Sequence, residues 1–157
     1  MNILVTGGTG FVSKPLVKAL LSRGDSVTVL TRSIEKAHTI FPEKTPQFLT
    51  ALSTLKDLNN FDAVINLAGE PIFDKKWTVQ QKEKLRHSRI DLTQQIVQVI
   101  NQSEYPPALI SGSATGIYGN CGEDVISEDT NPSTQFTAQL CIDSVSYTHL
   151  RAHETDQ

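Results

Sequence analysis

The sequence predicts an α/β fold: a doubly wound, Rossmann-like parallel sheet that is incomplete on its C-terminal side. Three observations predict it. The aliphatic run NILVT (2–6) opens directly into the glycine-rich stretch TGGTGFVS (6–13), and a helical pattern follows. Strand-like and helix-like segments then alternate along the chain, which is the pattern of a parallel sheet with right-handed crossovers. The 157 residues, 38% hydrophobic and 20% charged, are one domain's worth and enough to bury a core.

NILVT reads as a buried parallel strand, being β-branched and aliphatic throughout. Phe11 to Arg23 carries apolar residues at helical spacing, and Gly24 sits where a helix ends. SVTVLT (26–31) is the second strand and IEKAHTIF a short helix. PQFLT (46–50) is the third strand, and STLKDL a helical turn. DAVINLAG (62–69) is the fourth strand, ending at glycine. From Thr78 to about Asn101 runs a long helix, with Leu85, Arg89, Leu92, Ile96 and Val99 or Ile100 along one face. PALISGSA (107–114) is the fifth strand. Gly116, Gly119 and Gly122 mark the stretch after it as loop.

Strand, glycines and helix in that order make TGGTGFVS a phosphate cradle. Gly7 allows the tight turn. Gly10 lets backbone approach a pyrophosphate, which rests on the N–H groups that open the helix. Ser13 stands at the third position, often glycine, and Pro15 falls in the first turns of the helix, where it can cost a hydrogen bond. The second strand ends Leu30-Thr31-Arg32-Ser33, with no acid to take a ribose 2′-hydroxyl. Arg32 can instead fork onto a 2′-phosphate with Ser33 as a donor beside it, so NADP(H) is expected over NAD(H).

With TGGTGFVS, NLAG and SGSATGIYG taken together, the chain resembles the short-chain dehydrogenase/reductase superfamily. It is most similar to the extended, sugar-nucleotide-epimerase-like branch and, within that, to an atypical subgroup of undefined substrate. NLAGEPI, the segment bearing Trp77, Lys82, Ser88 and Arg89, and FTAQLC carry the narrower likeness, which covers residues 1 to about 141. The resemblance implies that Gly7, Thr9, Gly10, Phe11 and Val12 line the pyrophosphate. It implies that Leu67, Ala68 and Gly69 pass under the ribose and nicotinamide. Ser113 matches the serine that holds a substrate oxygen while hydride moves at the attached carbon.

Active relatives add Tyr and Lys in a YxxxK pattern, as acid/base and as the cation that tunes it. Here Thr137 stands at the Tyr position and Cys141 at the Lys position. A threonine hydroxyl is too weak an acid to replace a phenol, and a thiol supplies no cation. Tyr118, on the loop beyond Ser113, is a remote substitute. Arg89, where relatives carry a helical asparagine, is the candidate for a substrate phosphate or carboxylate, with a structural ion pair as the alternative. The acidic loop with Glu123, Asp124, Glu128 and Asp129 reads as solvated. Two functions therefore stand side by side. One is an NADP(H)-dependent oxidoreductase or epimerase on a small carbonyl or sugar-like substrate. The other is a dinucleotide sensor or scaffold without catalysis.

The net charge of −3, without a basic stripe, disfavours nucleic acid or an anionic membrane as partner. No apolar run suits a membrane span or a signal peptide, and Cys121 and Cys141 lack metal-ligand spacing, so a cytosolic protein with no metal is expected. Oligomeric state is left open. From about Ser144 the string VSYTHLRAHET resembles a translated sequencing adaptor. Residues 1–141 are therefore read as the N-terminal part of the dinucleotide-binding domain, and 142–157 as a non-native tail. The His149 and His153 pair within it is discounted as a metal site. A missing substrate lobe, an exposed sheet edge, poor solubility and no turnover are the expectations for such a fragment.

Overall fold

The computed structural model describes residues 1–42 and 46–149 and divides into two compact units, Met1–Gly112 and Ser113 onward. In the first unit five parallel strands form one sheet: β1 (Asn2–Thr6), β2 (Ser26–Leu30), β3 (Gln47–Leu49), β4 (Ala63–Asn66) and β5 (Ala108–Ser111). Their order across the sheet is β3-β2-β1-β4-β5, so the chain leaves β1 in one direction and returns past it in the other. That reversal opens a crevice at the carboxyl ends of β1 and β4, where open α/β sheets bind ligands.

The two layers follow from strand periodicity. Ile3 and Val5 point to one face, where they meet Val27 and Val29 of β2 and Val17 and Leu20 of α1 (Ser13–Arg23). Leu4 points to the other face, with Val64 of β4 and Ile96, Val99 and Ile100 of α3 (Val79–Asn101). Helix α2 (Ile34–Ile40) buries Ala37 and leads into Phe41, which completes the first cluster. A short 3-10 turn at Leu52–Thr54 supplies Leu52 to the second.

β4 stops at Asn66, three residues short of the expected Gly69. Its register with β1 ends at Thr6↔Asn66, because β1 gives way to the glycine loop there. The fifth strand is likewise shorter than the stretch 107–114. Its Ile110 is 57% exposed on the edge of the sheet. Helix α1 begins at Ser13 rather than Phe11. Lys14 N–H donates to Gly10 C=O at 3.0 Å, but Pro15 has no N–H to continue that ladder.

The second unit opens at Ser113 with a 3-10 turn, Thr115–Tyr118, and a loop held by Ser133 N–H donating to Ile117 C=O at 2.9 Å. Helix α4 (Phe136–His149) follows and runs without a break across the expected boundary at 141. The rest of the expected tail, with His153, lies outside the described residues. Among the described residues no helix is long and apolar enough to cross a membrane.

Candidate functional site

The glycine loop is shaped by three close approaches. Gly7 has φ +66, and a Cβ there would lie 2.7 Å from Leu67 O and 2.8 Å from Ala68 N and Cα. Backbone therefore lies directly on backbone, joining the first loop to the segment that follows β4. A Cβ on Gly8 would meet Val29 Cγ1 at 2.6 Å. Gly10 N–H donates to Gly7 C=O at 2.9 Å, and a Cβ on Gly10 would sit 3.1 Å from that same oxygen. The loop is thus a tight turn whose outer lip, Gly10, Phe11 (94% exposed) and Val12 (63% exposed), stands in the open. Ser13, at the third position, is buried and fits without a glycine.

The start of α1 is bare. Val12 caps it with no side-chain hydrogen bond, and no acidic residue lies in the first turn. By contrast Ser33 caps α2 by accepting from Lys36 N–H, and Thr78 caps α3 by accepting from Gln81 N–H. The positive dipole end of α1 is thus met by no side-chain oxygen and no acid of its own first turn. Thr9 lies half-buried inside the loop, and Arg32 is exposed just past β2.

Beneath the loops lies a buried polar network that the sequence did not announce. Thr6 Oγ1 donates to Asn66 Oδ1 at 2.6 Å. Asn66 Nδ2 donates to Thr93 Oγ1 at 3.0 Å and to Ser111 Oγ at 3.2 Å. Thr93 Oγ1 in turn donates to Arg89 C=O at 2.8 Å, which fixes the direction of the chain of bonds. One amide thereby ties the carboxyl ends of β1, β4 and β5 to α3. A strand-pairing register across three strands had to be known to see it.

Leu67 and Ala68 are half-buried and Gly69 is exposed in the segment after β4. Arg89, expected on the inner helical face, is half-buried, and its Nη2 donates to Glu70 C=O at 2.9 Å. Lys84 Nζ pairs with Glu70 Oε1 at 2.9 Å. The Lys84 hydrogen bond holds the Glu70 carboxyl below its usual range, against a smaller desolvation effect, with Lys75 and Arg32 adding to the lowering.

In the second unit Ser113 is exposed, two residues past the end of β5. Thr137 and Cys141 lie four residues apart within α4, so the positions that would hold Tyr and Lys share one helical face. Both are half-buried, and Cys141 is a free thiol. Tyr118 ends the 3-10 turn, half-buried.

The pattern of the NAD dependent epimerase/dehydratase family matches residues 3–155, nearly the whole chain. The chain belongs to this family. Among the family's curated members it is 37% identical to the chloroplastic SDR39U1 homolog of Arabidopsis thaliana, described as an epimerase family protein, over 147 residues. That match covers 90% of this chain and 42% of the plant protein. It is 36% identical to the epimerase family protein YfhF of Bacillus subtilis over 140 residues, 86% of this chain and 45% of that one. Of solved structures, human epimerase family protein SDR39U1 (isoform 2), crystallised with NADPH, superposes with a TM-score of 0.79 at 26% identity, covering 94% of this chain and 48% of the human one. This epimerase-family chain therefore spans less than half the length of each of the three.

Proposed function

We propose that this chain binds a nicotinamide dinucleotide at the carboxyl ends of β1, β2 and β4, and prefers the 2′-phosphorylated form. The single observation that carries the reading is the glycine turn at 7–10, packed backbone-on-backbone against 67–68, which leads into a helix start with no side-chain cap. Gly7, Thr9, Gly10, Phe11 and Val12 would hold the pyrophosphate, and Leu67, Ala68 and Gly69 the ribose on the nicotinamide side. Arg32 would take the 2′-phosphate, with the Ser33 hydroxyl still able to donate while its oxygen caps α2. The human relative crystallised with NADPH supports the same preference.

In the longer proteins of this family the reading becomes an oxidoreductase or epimerase acting on a small carbonyl or sugar-like substrate. When bound, the nicotinamide supplies hydride transfer. Ser113 would donate its hydroxyl to the substrate oxygen. A competing reading, a dinucleotide sensor without turnover, is favoured by Thr137 and Cys141, neither of which is a phenol or a cation. A cytosolic home for the protein belongs to the same reading.

Calorimetry on this chain tests the binding step. NADPH is expected to bind at least tenfold more tightly than NADH, and no heat with either overturns the reading. A protein of the relatives' full length, given NADPH and a panel of carbonyl compounds, then separates the two functions. Consumption that is lost in Ser113→Ala supports the enzyme. Tight binding with no consumption across the panel supports the sensor.

A further inference from the structure

Past Leu67, whose N–H donates to Thr6 C=O at 3.2 Å, the chain leaves the sheet. Yet residues 67 and 68 must stay in place, because Gly7 approaches them more closely than any side chain would allow. Unpaired backbone at a strand exit is free to open unless another element holds it. Helix α3 holds it at Glu70, from three sides. Glu70 N–H donates to Ser88 Oγ at 3.0 Å, its C=O accepts from Arg89 Nη2 at 2.9 Å, and its carboxylate meets Lys84. Ser88 Oγ is itself oriented by donating to Leu85 C=O at 2.9 Å. Arg89 Nη1 reaches the same carbonyl and Ser88 Oγ, both at 3.3 Å. The guanidinium lies so close to Gly69 that a Cβ there would be 2.8 Å from Cζ.

We infer that Arg89, together with Ser88, is a positioning residue that clamps the 67–70 segment as the floor of the glycine loop and so sets how tightly the ribose–nicotinamide half of the dinucleotide is held. The inference rests on the dinucleotide reading above. Two edges of the guanidinium face main-chain carbonyls, and its flat side covers a glycine, which is the use of a planar fork rather than of a bare charge. A lysine at 89 keeps the charge but cannot span the carbonyls of Glu70 and Leu85 together. Arg89→Lys therefore separates a clamp from a residue that attracts a substrate anion.

Two measurements on the 157-residue chain test this. The first is amide exchange at 67–70 without ligand. The Glu70 amide is expected to be protected in the parent, and to exchange at least about tenfold faster both in Ser88→Ala, which removes its acceptor, and in Arg89→Lys, which loosens the carbonyl of the same residue. The second is calorimetry with NADPH and with 2′,5′-ADP, which carries the phosphate but no nicotinamide half. Arg89→Lys is expected to weaken NADPH about tenfold and to leave 2′,5′-ADP within about twofold. Unchanged exchange at Glu70, unchanged NADPH affinity, or an equal loss for both ligands overturns the inference. If the parent binds neither ligand, the dinucleotide reading fails and takes the cofactor half of the inference with it, while exchange still decides whether the clamp exists.

Discussion

At its C-terminal end α1 closes on Gly24 (φ 93), whose N–H donates to Leu21 C=O, while Asp25 N–H donates to Leu20 C=O. Asp25 then gathers the N-terminal ammonium and Arg23. At its N-terminal end there is no side-chain cap, no acid in the first turn, and a proline that breaks the ladder after Lys14. One end is finished by the chain itself and the other has no side-chain cap. A glycine of positive φ closes one end, and another, Gly7, opens the loop that leads into the other, but the reasons differ. Gly24 meets nothing within 4 Å where a Cβ would be, so it answers only to conformation. Gly7 is needed for conformation and for space together. The two glycines are told apart by what surrounds them, not by the sign of their φ.

Substitutions at the two ends should break this symmetry of φ into very different outcomes. Gly7→Ala brings a methyl to 2.7 Å from Leu67 O in left-handed backbone. It should destabilise the chain by about 3 kcal/mol or more in denaturant melts and abolish NADPH binding. Arg32→Ala leaves the loop intact and should weaken NADPH about tenfold with NADH unchanged, as measured by calorimetry. Gly24→Ala should cost about 1 kcal/mol, seen as a thermal midpoint lower by about 3 °C, with cofactor affinity unaltered. A large affinity loss in Gly24→Ala would erase the contrast between the two ends.

The smallest expected effect is one of pH. Lys84 holds the Glu70 carboxyl below its ordinary value of 4.5, so the folded chain binds fewer protons than the unfolded one near that pH. The pair's contribution is complete above the unfolded value and is lost as pH falls through the depressed folded one. Lys84→Met should therefore flatten the acid limb of the stability curve, measured by melts between about pH 3 and 6, through a small loss of stability at neutral pH that disappears at the acid end; the loss is small because the Lys84 side chain is exposed.

Local pattern carried most of the fold. The five strands and three α-helices of the first unit lie where their patterns place them, since the strands are mostly aliphatic and α3 repeats its apolar residues every three or four positions, while the helical turn expected over STLKDL (53–58) falls at Leu52–Thr54 instead. Strand ends were read too long at 67–69 and 112–114, because where a strand stops depends on its neighbour and not on its own residues. The burial on α3 is wider than the expected stripe, adding Ile90, Thr93 and Val97. The glycine loop was legible as a motif, but the role of Gly8 against Val29 was not, since that contact lies twenty-one residues away in sequence. Asn66, Thr93 and Ser111 share the same obstacle. Each is an ordinary polar residue until three strands and a helix converge on it.

Asn66 leaves the molecule with a chemical weak point. Both of its amide hydrogens are committed, one to Thr93 and one to Ser111, while its oxygen serves Thr6. Asn66→Asp would exchange that nitrogen for an oxygen and alter the side chain's shape hardly at all. The Ser111 hydroxyl could turn to meet the new acceptor, but Thr93 would have to release the Arg89 carbonyl to do the same, so one buried charge would loosen the tie between three strand ends and α3.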